Sequence, residues 1–327
     1  MKKQIIFSGI QPTGNLHVGN FLGAVKNWVT LQNSGDYDCY FCIVDYHSLT
    51  GTKSAEERRE QITRTAAELL AAGIDPDKCT FFVQSHVPEV AELAWVFQTL
   101  TPMGELERMT QFKDKSAQQT KNINVGLFTY PVLQAADILL YHGTHVPVGE
   151  DQIQHVELTR NIARWFNKKY DAYFPETKHI LTKTPRVKSL LEPEKKMSKS
   201  LGEGHVLELA DEPAVLEKKL KKAVTATEGG VGAPGAQNLL LLLQEFGSEQ
   251  TYKQFAVAEK DGSIRYGELK MAVAQAVGDS FAEFRERRAA LLMHPDAIAA
   301  ELIHGAQKAR GTAQKTMEEV RARIGVR

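Results

Sequence analysis

Within the first 150 residues, short apolar runs of strand-forming side chains alternate with helical stretches, and this rhythm constrains the fold more than any other feature. Ile5-Ile6-Phe7-Ser8 reads as a buried strand, broken by Gly9, Pro12 and Gly14. A helical pattern follows from about Gly19 to Leu31. Tyr37 to Asp45 forms the next strand, with Cys39-Tyr40-Phe41-Cys42-Ile43-Val44 at its centre. Ser54-Ala55-Glu56-Glu57 opens a helix as a capping box and Gly73 closes it. A third strand, Thr80–Val83, is followed by a helix from Pro88 to Leu100, and a later strand runs from His145 to Val148. Strands alternating with helices imply an α/β fold, a Rossmann-like, doubly wound parallel sheet covered on both faces. Ligands of such sheets bind at the carboxyl ends of the strands, so functional residues are expected just after Phe7, Val44, Val83 and Val148.

Beyond Ser200 the character changes. Glycine-rich stretches at 202–204 and 229–235 separate Leu/Ala-rich helical patterns at about 211–224, 237–246, 266–292 and 295–324, with no convincing strand. The expected division is an α/β domain over 1–196, an all-helical C-terminal domain over 197–292, and a last helix over 293–327 packing back on the first domain. For 327 residues this agrees with the usual domain size of ~150. No apolar run approaches the ~20 residues of a membrane span, and the start, Met1 to Phe7, lacks a signal-peptide core. Three cysteines, an odd number, suit a reducing, cytoplasmic setting.

Forty basic residues balance forty acidic ones, which argues against a generally basic nucleic-acid binder. The balance is local, however. Residues 1–150 carry 12 basic and 16 acidic side chains, residues 151–200 carry 11 and 6, and residues 201–327 carry 17 and 18. The positive excess therefore lies in one 50-residue segment.

Two motifs bear on chemistry. Gly9-Ile10-Gln11-Pro12-Thr13-Gly14-Asn15-Leu16-His17-Val18-Gly19-Asn20 follows the first strand and opens a helix, where glycines and a helix start favour phosphate. By itself this loop is slightly better read as a βα turn whose polar residues cap the helix. Lys196-Met197-Ser198-Lys199-Ser200 offers two ammonium groups and two hydroxyls, suited to a polyphosphate whose charge grows as a bond breaks. A solvated Lys/Ser linker is the alternative for such a word alone. Together the H-x-G-N turn and this pentamer form the paired signature of class I aminoacyl-tRNA synthetases.

The chain resembles that family's bacterial tryptophanyl branch nearly end to end, more loosely after about residue 225. The resemblance also rests on Phe7 to Gly14, Val44-Asp45-Tyr46-His47, the run from Gly104 to Ser116, Ala135 to Tyr141, and Val146-Pro147-Val148-Gly149-Glu150-Asp151-Gln152. It implies that L-tryptophan and tRNA(Trp) are the partners, in a homodimer with no DNA or membrane partner. The helical domain would read the anticodon. ATP would be the second substrate, contacted by Gln11, Pro12, Thr13, Gly19, Asn20, Gly149, Glu150, Asp151 and Val187 and by Lys196, Met197, Ser198, Lys199 and Ser200. Lys196, Lys199, Asn20 and Lys113 would serve the reacting phosphates, with Mg²⁺ held through phosphate and no protein metal site. Asp137 would accept the indole N–H, with Phe7, His47, Val146 and Val148 forming the pocket, and Tyr130 and Gln152 near the amino group. Gln134 stands where the branch commonly has Met, which places a polar amide beside the indole. Tyrosine is the alternative substrate; Phe7, which cannot bond a phenol hydroxyl, and the Gly149–Gln152 run favour tryptophan. A synthetase-like regulator that does not charge tRNA is the other alternative, but both signature lysines are present.

The residues themselves agree at Asp137, a carboxylate inside the apolar run Ala135–Leu140, where an unpaired charge is costly. A structural acid paired with a neighbour is the competing reading. Cys39 and Cys42, three apart on a strand, point to opposite faces and read as core. Lys218-Lys219-Leu220-Lys221-Lys222 suits a tRNA backbone and a solvated helix face equally.

Overall fold

The computed structural model describes residues 3–109, 124–149, 152–181, 185–225 and 231–326. Five strands form one sheet: β1 (Gln4–Ile10), β2 (Tyr37–Ile43), β3 (Thr80–Val83), β4 (His145–Val148) and β5 (Lys178–Leu181). Their order is β3-β2-β1-β4-β5, and every pair is parallel. The chain winds outward to β3 and then returns past β1 to β4, so the switch point falls between β1 and β4, the usual place for a ligand. The expected α/β sheet is therefore present. β5 was not anticipated: its four residues include Lys178 and His179 and none is buried, so it carries no apolar pattern.

The chain divides into two compact units: one comprises Met1–Gly14, Asn27–Thr182 and His294–Arg327, the other Asn15–Lys26 and Lys183–Met293. These bounds differ from a simple cut at 196, because a stretch after β1 and the segment before the pentamer cluster with the helices.

In the first unit the central residues Ile6 and Phe7 of β1 and Phe41 and Cys42 of β2, neighbours that face opposite sides of the sheet, are buried, as a covered parallel sheet requires. Trp28 stacks on Phe41 at 4.8 Å, while Tyr141 stacks on Phe7 at 5.8 Å and on Tyr40 at 4.8 Å. Cys39 and Cys42 are both buried and unlinked, and burial pushes the Cys39 thiol up to about 11, so the pair is core. Ser54 caps the helix Ala55–Ala71 through the reciprocal bond with Glu57, as its sequence required.

The helix Pro295–Ile324 packs on β3, the edge strand. Gly305 permits that approach: a Cβ there would lie 1.7 Å from the Phe81 carbonyl oxygen. Ala309 and Ala313, one and two helical turns further along the same face, are completely buried. Arg310 bonds Glu89 at 2.9 Å, Arg321 bonds Glu92 at 2.8 Å, and the Thr316 hydroxyl donates to the Leu140 carbonyl at 2.8 Å. Gly305→Ala should therefore destabilise the protein by about 3 kcal/mol, the upper range for overpacking. Urea denaturation checks this, and an unchanged midpoint would refute the packing argument.

The second unit is helical after residue 213, with helices Pro213–Lys222, Pro234–Phe246, Glu249–Asp261, Tyr266–Ser280 and Ala282–Leu292. The helical run expected over 266–292 is two helices meeting at Phe281, which is buried. No helix among the described residues is long and apolar enough to cross a membrane.

Candidate active site

At the carboxyl end of β2 the chain turns through a single 3₁₀ segment, Tyr46–Thr50, which carries His47. Asp45 fixes the turn: its Oδ1 accepts from the Tyr46 N–H at 3.1 Å and, across to the exit of β3, from the Ser85 N–H at 3.0 Å. Arg58 braces the same turn, donating from Nε to the Ser48 hydroxyl at 3.1 Å and from Nη2 to the Lys53 carbonyl at 3.0 Å.

Asp137 lies on the helix Val125–Leu139 and is only 2% exposed. Its Oδ2 is 2.8 Å from His47 Nε2, and its Oδ1 accepts from Gln84 Nε2 at 2.6 Å. Burial raises the carboxyl above its usual range, while the bonds from His47 and Gln84 pull it back toward ionisation. An ionised carboxylate has about four lone-pair sites, so these two donors leave acceptor capacity for a ligand. Asp137 is thus both a partnered structural acid and a candidate ligand group.

Phe7, Val146 and Val148 are buried side chains of β1 and β4, the two strands flanking the switch point. The Tyr130 ring meets His47 edge-on at 6.3 Å, and its hydroxyl is 3.0 Å from His155 Nε2. Burial pushes the Tyr130 phenol up to about 12, so it is neutral at working pH. Gln134 is partly exposed on the same helix as Asp137 and Tyr130. Gln152 precedes the helix Ile153–Tyr170, its N–H donating to the Gly149 carbonyl at 3.0 Å. Lys113, Glu150 and Asp151 lie outside the described residues. In the loop after β1 the Thr13 N–H donates to the Gln11 carbonyl at 2.9 Å, Pro12 is buried, and Gly14 takes φ +122°.

The second unit holds the rest of the first signature together with the pentamer. His17 and Asn20 form a reciprocal capping box: the Asn20 N–H donates to His17 Nδ1 and the His17 N–H to Asn20 Oδ1, each at 3.3 Å. The Val18 N–H is taken by the Leu207 carbonyl at 2.9 Å. The helix start is therefore largely satisfied within the chain, and the capping reading of this turn is correct. Gly19 sits close against the turn: a Cβ there would lie 3.0 Å from the His17 ring, a tight contact, and 3.7 Å from the Met197 Cβ.

The pentamer is anchored by Met197, which is buried and whose N–H donates to the Val187 carbonyl at 3.0 Å, while Lys196 stays exposed. The Val187 N–H donates to the Pro185 carbonyl at 3.0 Å, so both backbone groups of Val187 have partners inside the chain. Asn238 holds the adjoining residue, accepting from the Lys188 N–H at 2.8 Å and donating to its carbonyl at 3.0 Å. The Ser198 hydroxyl caps the turn Lys199–Leu201 and lies 2.8 Å from the Ser200 hydroxyl.

Burial, with the charges of Lys199 and Lys196 second and third, lowers the His17 imidazole from 6.5 to about 3. An unfolded chain takes up that proton near 6.5, so between 6.5 and 3 the unfolded state binds more protons and folding stability falls as pH drops. Replacing His17 by Asn, which keeps a capping acceptor, should shrink the loss of stability between pH 7 and pH 5. Urea midpoints at the two pH values measure it; an identical drop in both proteins would refute it.

Sequence reasoning missed Gln84, Arg58 and Asn238. Gln84 had a usable signal, since it is the first residue after Val83, at a strand's carboxyl end. Asn238 acts through a contact 50 residues away and had none, while Arg58 reaches Ser48 and Lys53, 10 and 5 residues away, with nothing in its residue type to mark the role.

The family model for class I tRNA synthetases (W and Y) matches residues 1–282. The tryptophan--tRNA ligase of Wolinella succinogenes is 46% identical over 332 residues, covering 100% of both chains. The tryptophan--tRNA ligase 2 of Streptomyces avermitilis is 45% identical, covering 98% of this chain and 96% of its own. Among solved structures, a Campylobacter jejuni tryptophanyl-tRNA synthetase complexed with ADP and tryptophan superposes with a TM-score of 0.87 at 34% identity, covering 99% of this chain and 100% of that one. With the sheet order, the buried carboxylate and both signature motifs in place, the chain belongs to the class I tRNA synthetases of the tryptophan and tyrosine group, and within it to the tryptophan--tRNA ligases.

Proposed function

We propose that the protein activates L-tryptophan with ATP and transfers it to tRNA(Trp). The substrate carboxylate, already ionised at neutral pH, attacks the α-phosphorus in line; the bond to the β-phosphate oxygen breaks, and pyrophosphate leaves. The 3′-terminal ribose hydroxyl of the tRNA then attacks the acyl carbon of tryptophanyl-adenylate and AMP departs. Neither step needs a strong general base, so positioning and charge stabilisation carry the rate.

Asp137 is the observation that carries the choice of substrate. A buried carboxylate held by two donors, with acceptor capacity left over, rejects side chains that bring no N–H to that point. Phe7, Val146 and Val148 supply apolar pocket surface, while Tyr130 and Gln152 face the amino group and Gln134 the indole edge. For ATP we assign Gln11, Pro12, Thr13, Gly19, Gly149, Glu150, Asp151, Val187, Met197, Ser198 and Ser200. Lys196, Lys199, Lys113 and the Asn20 amide serve the phosphates. The internal bonds at the helix start shift that task from helix amides toward the lysines.

No group of three His, Cys, Asp or Glu side chains able to hold a metal occurs among the described residues. Mg²⁺ would arrive with the nucleotide through its phosphate oxygens and would supply charge neutralisation to the pyrophosphate. The helical residues of 197–292 read the anticodon. There Lys219 is paired with Asp211 at 2.6 Å and Lys221 with Glu217 at 3.4 Å, which leaves the run less charge for an RNA backbone than its sequence suggests. A homodimer in the cytoplasm completes the reading; three unlinked, buried cysteines suit that compartment, and exposed Trp95, Met103 and Val125 offer apolar surface to a second copy.

The deciding experiment is ATP–pyrophosphate exchange with tryptophan or tyrosine. Exchange should require tryptophan, and equal support from tyrosine would overturn the reading.

A further inference from the structure

Gln84 is 1% exposed and touches two groups of opposite character. Its Oε1 accepts from the Tyr46 backbone N–H at 3.0 Å, and its Nε2 donates to Asp137 Oδ1 at 2.6 Å. A backbone N–H can only donate, so the amide cannot be flipped: the oxygen faces Tyr46, and the Nε2 must find an acceptor. Asp137 Oδ1 is consequently always an acceptor. The other oxygen, Oδ2, is the one that faces His47, 2.8 Å from its Nε2.

We infer that Gln84 is a positioning residue for substrate selection, holding one oxygen of Asp137 as a permanent hydrogen-bond acceptor for the ring N–H of the amino-acid substrate. The inference rests on the tryptophan reading of the site and adds to it the residue that keeps the acceptor from becoming a donor. The same amide links three chain segments, the turn after β2, the exit of β3 and the helix bearing Asp137, so acceptor and pocket wall are set together. Tyr46 N–H also has Asp45 Oδ1 at 3.1 Å, so loss of the Gln84 carbonyl does not orphan it. Only Asp137 goes short.

The test compares wild type with Gln84→Met, of similar length but without the amide, and Gln84→Glu, using tryptophan and its benzothiophene analogue, in which sulfur replaces the ring N–H. Wild type should prefer tryptophan strongly. In Gln84→Met the tryptophan KM should rise about 10- to 100-fold, as for one buried bond to a charged group, with kcat and the KM for ATP nearly unchanged, and the preference over the analogue should collapse. Gln84→Glu should recover the preference only at pH values where the new pair of carboxyls shares a proton, since one must donate to the other. Unchanged ATP kinetics in either variant shows that the fold is intact. A merely structural role would lower activity with both amino acids alike and would overturn the inference. Retention of the preference in Gln84→Met would overturn it also, while leaving the tryptophan reading intact. A wild type that fails to respond to tryptophan would bring down both, and is distinguished by that result.

Discussion

Asp137→Ala should lower kcat/KM for tryptophan in ATP–pyrophosphate exchange by about 10³–10⁴-fold, with the KM for ATP changing only severalfold. Two losses combine. The ring N–H forfeits a bond to a charged acceptor, about 1.5–3 kcal/mol at a buried position. His47 and Gln84 also lose the carboxylate that orients them, and a displacement of about 1 Å at a reacting centre can cost a further 10²-fold. Because these partners lie on the turn after β2 and at the exit of β3, the damage is confined to amino-acid selection. Equal losses for tryptophan and ATP would show that Asp137 is a structural acid and not the indole acceptor.

Lys199→Ala should slow adenylate formation by about 10²–10³-fold, the cost of one preorganised donor at a site of developing charge. The effect should fall on kcat, since charge on the pyrophosphate grows as the Pα–O bond breaks and the ground state needs the ammonium less. Lys199 stands at the start of a short turn capped by Ser198, next to a buried Met197 anchor, so replacing it removes charge without dismantling the segment. Single-turnover formation of the adenylate separates this step from product release. Near-normal exchange by the variant would remove Lys199 from the chemistry.

Much of this molecule was legible in its sequence because much of it is locally encoded. Ser54 and Glu57 announce their helix through a bond between residues three apart, and the apolar cores of β1 and β2 announce strands buried on both faces. β5 was not legible: an edge strand of Lys178-His179-Ile180-Leu181 with no buried residue has no pattern to betray it. Nor was the helix Glu249–Asp261, in which Glu259 is the buried residue. The grouping of Asn15–Lys26 with the helical unit depends on residues 16–18 bonding to 207–209, a contact that no local signal reports. At the site, Asp137 stood out because a carboxylate interrupts an apolar run. Its partner Gln84 stood out only by position, since a glutamine after a strand is chemically ordinary until its two bonds are seen.

The helix Pro295–Ile324 has a consequence for the order in which the molecule can be made. Synthesis delivers Thr80–Val83 early, yet the helix that lies along this edge strand is completed only within the last thirty-odd residues. Until that helix emerges a nascent chain carries β3 with an open edge, and Phe81, buried in the finished fold, has not yet met Gly305. The first unit, opened by β1, is closed by the helix Pro295–Ile324, so its packing cannot finish until that distant helix has been made.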